Sequence, residues 1–296
     1  AVGVFAVNGS EVENKGEITV GGNDSVGIYS TTYREENDKA IKDEFGEKTT
    51  PYAFNISNKN KITMEGEKSI GIYARNNKSD DEKSKNIVEN IGEITLNGES
   101  SIGMYVTKGL IKGKGQINLK NSSVGIYADE SNIEQDLGTI KFSGMSNTGV
   151  YAKNTSLGEK DSKVNVEITS NNEELGNIGA IFDSAKSITT KLSVTATGNK
   201  IIGYSSNNDI TIDADAKITG DEAKGIKVDE GKKITFKKSL EISGKNAVGI
   251  SGDDVTLEGT INVKDKAIGI DGKDVNVENK ITLDTENTSG VRSYDG

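Results

Sequence analysis

The chain contains no cysteine, no histidine, no tryptophan and a single proline, Pro51, in 296 residues. Without cysteine there are no disulfides, thiol nucleophiles or Cys/His zinc sites, and cysteine usage says nothing about redox compartment. Without histidine there is no Ser-His-Asp or Cys-His relay and no imidazole metal ligand. Arginine is scarce, with only Arg34, Arg75 and Arg292 among 33 lysines. Acidic residues outnumber basic ones by 46 to 36, giving a net charge of −10. That balance argues against nucleic acid or an anionic membrane as the main partner. No apolar run is long enough to span a bilayer, and no signal peptide is visible. The 33 isoleucines and 20 valines stand against ten leucines and three methionines. Such a β-branched bias disfavours a helical protein.

Glycine is plentiful, and twelve glycines sit in one recurring phrase. The phrase reads Ala1-Val-Gly-Val-Phe-Ala6, Ser25-Val-Gly-Ile-Tyr-Ser30, Ser69-Ile-Gly-Ile-Tyr-Ala74 and Ser101-Ile-Gly-Met-Tyr-Val106. It continues as Ser123-Val-Gly-Ile-Tyr-Ala128 and Asn147-Thr-Gly-Val-Tyr-Ala152, with weaker copies around Gly179, Gly203, Gly225, Gly249, Gly269 and Gly290. Most glycine intervals are 20–24 residues, and three are swollen to 44, 32 and 30. Each unit holds two further alternating segments, such as Asp209-Ile-Thr-Ile-Asp213 and Gly92-Glu-Ile-Thr-Leu96. Apolar–polar alternation bounded by Asn, Gly, Asp and Lys marks short strands. Three strands per unit of about 22 residues describe one coil of a parallel β-helix.

The expected fold is therefore all-β: a right-handed parallel β-helix of about twelve coils, three short strands per coil, over residues 1–296 as a single segment. An antiparallel sandwich has no reason to repeat one phrase twelve times. A leucine-rich repeat cannot be built from ten leucines. At about 4.8 Å per coil the rod would be roughly 55–60 Å long. Residue 1 already lies inside the phrase and neither end shows an atypical capping coil, so the chain reads as a stretch of a longer rod.

Strict alternation assigns faces. The residue after each glycine (Ile28, Ile72, Met104, Ile126 and so on) is never charged and is expected inside. The residue before the glycine is expected on the same inner face. The glycine and the residue two after it are expected outside. That outer column reads Phe5, Tyr29, Tyr73, Tyr105, Tyr127, Tyr151, Ile181, then Ser205, Lys227, Ser251, Asp271 and Arg292. Its first half is an aromatic row beside glycines that would leave the ring faces uncovered.

Loop insertions are expected at 31–53, 75–88 and 153–163, each just after a tyrosine-bearing strand. The first, with Tyr33, Asn37, Ile41 and Phe45 at four-residue spacing before Gly46, suits a short helix. The other two read as solvated loops. An aromatic stripe beside variable loops suits a contact surface. The candidate ligand-binding set is Tyr29, Tyr73, Tyr105, Tyr127 and Tyr151, with Tyr33, Arg34 and Arg75 from the adjoining segments. The plainer alternative is that the tyrosines stack to stabilise the rod and the loops fold over them.

Enzymatic chemistry finds little footing. A glycosidase needs two carboxylates across a groove, and the candidates Asp213 with Asp215, Asp253 with Asp254, and Asp271 with Asp274 all sit in turn-like contexts. Three scattered arginines give no lyase-like basic cluster. The calcium nonapeptide is approached only at Gly21-Gly-Asn-Asp24 and is not repeated. No phosphate loop, dinucleotide fingerprint or metal set occurs, so no cofactor, metal or catalytic residue is expected.

The Ser-Val-Gly-Ile-Tyr-Ala phrases alternating with Gly-x-Ile-x-Val/Leu strands, in a Lys/Asn/Ile-rich chain, resemble the passengers of large fusobacterial-type autotransporter adhesins. That resemblance covers the whole chain. It implies secretion through an outer-membrane β-barrel and display on the bacterial surface as a long, monomeric rod. It also implies adhesion to other bacteria or to host receptors or glycans, with no ligand residue carried over. The expected function is a non-enzymatic adhesin segment. The alternatives are a polysaccharide-degrading lyase or tailspike-like glycosidase, and a purely structural stalk.

Overall fold

The computed structural model describes residues 1–7, 10–32, 53–76, 86–155, 157, 161–168, 176–284 and 286–294. Among these there is no helix, and every strand pairing is parallel. The chain winds as a right-handed parallel β-helix with three walls. The first wall carries the recurring phrase: Val2–Val7, Val26–Thr31, Ile70–Arg75, Ile102–Thr107, Val124–Asp129, Thr148–Lys153 and their successors pair in one continuous order. The third wall is an eleven-stranded sheet running from Ile18–Val20 to Ile281–Leu283. The second wall is a five-stranded sheet in the early coils. In the late coils Val248–Leu257 and Ile268–Val277 run round the corner and fuse the first and second walls.

Register follows the phrase. Val26 opposes Ile70, Tyr29 opposes Tyr73 and Thr31 opposes Arg75, and the same alignment continues coil by coil. A parallel ladder spaces these equivalents by about 4.8 Å, so each residue type builds a column along the rod. Ile28, Ile72, Met104, Ile126 and Val150 form one buried column of the first wall. Ile62, Ile94, Ile117 and Ile140 face them from the third wall, and Ile56, Val88, Ile111 and Ile133 from the second. These columns make one continuous narrow core. It opens at the far end, where Leu283 and Val291 are 48% and 45% exposed.

The glycines correct one expectation. They point inward, and the residue before them points outward. A Cβ on Gly27 would lie 2.8 Å from Ile62 Cγ2, and on Gly71 2.7 Å from Ile94 Cγ2, both core side chains. It would also sit 2.6 Å from the carbonyl oxygen of the next coil's glycine in each case. Val26, Ile70, Ile102 and Val124 are half-buried on the outer face instead. The physical reason is a local break of the two-residue period. Glycine and the following Ile are consecutive inward residues, which a strand accommodates where a missing side chain lets the backbone approach the core.

Two residues before each glycine runs a buried polar column that composition alone does not announce. Ser25, Ser69, Ser101, Ser123, Asn147 and Asn177 are all at most 1% exposed. The backbone N–H of each donates to the side chain of the next, from Ser25 N to Ser69 Oγ at 3.3 Å through Asn147 N to Asn177 Oδ1 at 2.9 Å. Buried polar groups persist when they are satisfied in this way. The column then turns apolar, as Ile201, Ala223, Ala247 and Ala267. A second ladder, Asn14 to Asn58 to Asn90, runs along the second wall with bonds of 2.7 and 2.8 Å.

Of the three expected insertions, residues 33–52 and 77–85, with the short helix, lie outside the described residues. The described flanks are ordered into the rod: Thr31 and Thr32 are buried, Phe54 is fully buried, and Ile87 opens a strand. The third insertion is not simply a solvated loop. Leu157 joins the core at 0% exposure, and a strand begins at Ser162.

Candidate functional site

The outer side of the first wall differs from the other two walls. Across the early coils the third wall shows Thr19, Thr95, Asn118 and Lys141 to solvent, and the second shows residues such as Glu13, Ser57, Glu89 and Lys112. The first wall instead presents two parallel apolar columns. One is Val26, Ile70, Ile102 and Val124; the other is the aromatic row, and both are half-buried apart from the exposed Phe5. A third column borders the aromatics: Arg75, Thr107, Asp129, Lys153 and Asp183.

The aromatic rings stack on one another. Phe5, Tyr29, Tyr73, Tyr105, Tyr127 and Tyr151 follow at centroid separations of 5.2, 4.9, 5.1, 4.8 and 5.0 Å. Their planes are inclined by only 3–11°. This is offset stacking, worth about 0.5–1.5 kcal/mol per pair beyond burial. It corrects the expectation that the ring faces lie uncovered. In-register strands leave no room for anything between neighbouring rings, so only ring edges and hydroxyls reach solvent. A sugar therefore cannot stack on the faces of Tyr29 to Tyr127.

Of the expected ligand-binding residues, the structure brings Tyr29, Tyr73, Tyr105, Tyr127, Tyr151 and Arg75 onto one wall. Tyr33 and Arg34 lie outside the described residues. At the end of the row the Tyr151 hydroxyl donates to Asp183 at 2.7 Å. Burial, with Asp183's bond and charge, pushes the Tyr151 phenol well above its ordinary range. Burial also raises Tyr127, although the Lys153 charge opposes it. Beyond Ile181 the column turns polar, ending where Arg292 forks onto Asp271 at 3.0 and 2.6 Å. Such a pair on an exposed surface adds little stability.

The carboxylates considered for catalysis are mostly engaged in holding turns and neighbouring coils. Asp215 accepts the Ser239 N–H at 3.0 Å, and Asp213 faces Lys238 at 3.5 Å. Asp253 accepts from the Gly231 N–H and the Tyr294 hydroxyl, both at 3.0 Å, and the Gly231 bond leads in lowering its pKa. Asp254 lies 3.9 Å from Lys233 and directly opposite Asp274 in the ladder. Among the described residues no three acids converge to hold a cation.

Sequence reasoning missed the buried Ser/Asn column and the role of Tyr204. Tyr204 occupies the inward column of the first wall, fully buried. Its hydroxyl donates to the Leu192 carbonyl and accepts the Val194 N–H, each at 2.9 Å. The signal for the Ser/Asn column was the Ser or Asn that stands two residues ahead of each of the six glycines from Gly27 to Gly179.

A model of the family described as the BigA third pectate lyase-like domain matches residues 1–130, the stretch that carries Tyr29, Tyr73, Tyr105 and Tyr127. No curated protein and no solved structure matches the chain.

Proposed function

We propose that this chain is a non-enzymatic segment of a bacterial cell-surface adhesin rod, making contact through the outer side of its first wall. The observation that carries the reading is the asymmetry of the walls. Half-exposed valine, isoleucine and tyrosine columns run side by side on one wall of the early coils, where the others are mostly polar, with Ile87 and Ile91 as apolar exceptions. Apolar stripes of that kind mark interaction surfaces. The contact is made by ring edges, phenol hydroxyls and the aliphatic column together with the adjoining inserted segments 33–52 and 77–85, with Arg75, Asp129, Lys153 and Asp183 along the rim. The partner is a receptor or glycan of a host cell or another bacterium, neither nucleic acid nor membrane. The rod is monomeric and extracellular, held by an outer-membrane barrel elsewhere in its parent. The later coils, polar on the same column, act as spacer. The match of residues 1–130 to a pectate lyase-like domain model supports the β-helical rod of this reading.

A glycan and receptor screen with cultured cells tests the reading. Binding by the intact chain, lost when 33–52 and 77–85 are replaced by short turns in a rod of unchanged circular dichroism, is the expected result. Unchanged binding would take the inserted segments out of the contact, and no binding at all would favour a stalk. The words "pectate lyase-like" in the matched family's description favour a second reading, a polysaccharide-degrading β-helix. Release of new sugar ends from a panel of acidic polysaccharides would establish it.

A further inference from the structure

The tyrosine row has a chemistry independent of any contact it makes. Five phenol rings, Tyr29 to Tyr151, follow one another at 4.8–5.1 Å with planes inclined by no more than 7°. At that separation neighbouring π systems are almost in contact, so an electron removed from one ring is readily replaced from the next. The row also ends on a proton acceptor: the Tyr151 hydroxyl is bonded to the Asp183 carboxylate at 2.7 Å. A phenol becomes a strong acid once it has lost an electron. A carboxylate already on its hydroxyl takes the proton in the same step. Among the described residues, neither Tyr105 nor Tyr127 has a carboxylate bonded to its hydroxyl. All three rings are half-buried, with their edges open to small molecules.

We propose that the stacked row is a site of one-electron oxidation whose radical settles on Tyr151, and that a second oxidation links Tyr151 covalently to Tyr127. In the first step a one-electron oxidant takes an electron from the row, and the Tyr151 proton moves to Asp183. In the second, Tyr127 gives an electron to another oxidant molecule and its hydroxyl proton to water. The two phenoxyl radicals pair their electrons in one carbon–carbon bond between ring positions ortho to the oxygens. The two ring hydrogens then return to the oxygens as phenol protons. The net change is loss of two hydrogens, with two oxidant molecules each reduced by one electron. The product would tie neighbouring coils, whose Tyr127 and Tyr151 are already register partners.

The chain supplies its own controls. Tyr294 also donates to a carboxylate, Asp253, at 3.0 Å, but among the described residues no ring stacks on it. Tyr204 is fully buried and bonded only to backbone. The test oxidises the whole chain, at high dilution and with Tyr33→Phe and Tyr52→Phe, using photogenerated tris-bipyridyl ruthenium(III). Dityrosine is read by fluorescence, and linked peptides by mass spectrometry. The expected result is an intramolecular Tyr127–Tyr151 link two hydrogens lighter than the unlinked peptides. Asp183→Asn should lower its yield severalfold and Tyr151→Phe should abolish it, with Tyr294→Phe leaving it unchanged and circular dichroism confirming each fold. Links spread evenly along the row, links only between molecules, or an unchanged yield in Asp183→Asn would each overturn the proposal.

Discussion

Replacing Gly125 with alanine tests the inward glycine column, because the sign of the effect depends on which way the glycine faces. The added methyl would lie 2.7 Å from the Gly149 carbonyl oxygen, 2.9 Å from Ile140 Cδ1 and 3.0 Å from Ile140 Cγ2. The first contact is short of ordinary van der Waals separation by roughly 0.7 Å. It is also the hardest to relieve, because that carbonyl belongs to the neighbouring coil's backbone. Overpacking of this kind costs about 1–3 kcal/mol, and disturbing a ladder bond adds about 1. The expected destabilisation is therefore about 2–4 kcal/mol. Gly16 is the matched control, since an added Cβ there meets nothing within 4 Å. Alanine at Gly16 should be neutral or stabilise by about 0.4–1 kcal/mol through the unfolded chain. Urea unfolding should be followed by tyrosine fluorescence, which reports on the coils around Gly125. A clear drop in midpoint for Gly125→Ala with none for Gly16→Ala is expected. Equal midpoints, or stabilisation by Gly125→Ala, would mean that the glycine faces solvent and would refute the reasoning.

Further outcomes follow from the buried polar groups and the phenols. Tyr204→Phe keeps the ring but strands the Val194 N–H and Leu192 carbonyl, and should cost about 1–3 kcal/mol in the same urea assay. Asn58→Ala breaks the Asn ladder on both sides and should destabilise by a similar amount, about 1–3 kcal/mol, because Asn58 is fully buried. Tyr127 and Tyr151 hold their protons more tightly in the rod than in the unfolded chain. Their contribution is thus complete below the ordinary phenol pKa of about 10 and is lost as pH rises through the raised native values. Alkaline titration by ultraviolet absorbance should show these two phenols ionising above the ordinary phenol pKa of about 10, and stability should fall over the same range.

Much of this architecture is legible in the sequence because a parallel ladder turns a repeat in one dimension into columns in three. The recurring phrase placed the first wall, and uncharged residues after each glycine marked the core column from Ile28 to Ile270. The facing rule failed where alternation itself fails. Gly27 and Ile28 are consecutive inward residues, and a two-residue period contains no sign of that break until the space around the glycine is known. The tyrosine row was legible as an outer column, but its meaning was not. Equal spacing of about 4.8 Å between identical rings dictates stacking, so the residues expected to offer open faces cover one another. Ser69 and Ser101 carry no mark of burial in the sequence for a similar reason. A serine before a strand is usually solvated, and only the neighbouring coil's N–H makes its burial acceptable.

The contact surface itself is tested most directly by the aliphatic column, which can be altered without touching the stack. Ile70 and Ile102 are half-buried on the outer face, beside Tyr73 and Tyr105 and clear of the core. Binding of the chain to cultured cells should be compared with that of an Ile70→Lys, Ile102→Lys double variant of unchanged circular dichroism. A contact through the first wall predicts that the charges abolish binding. Undiminished binding by the double variant would contradict it.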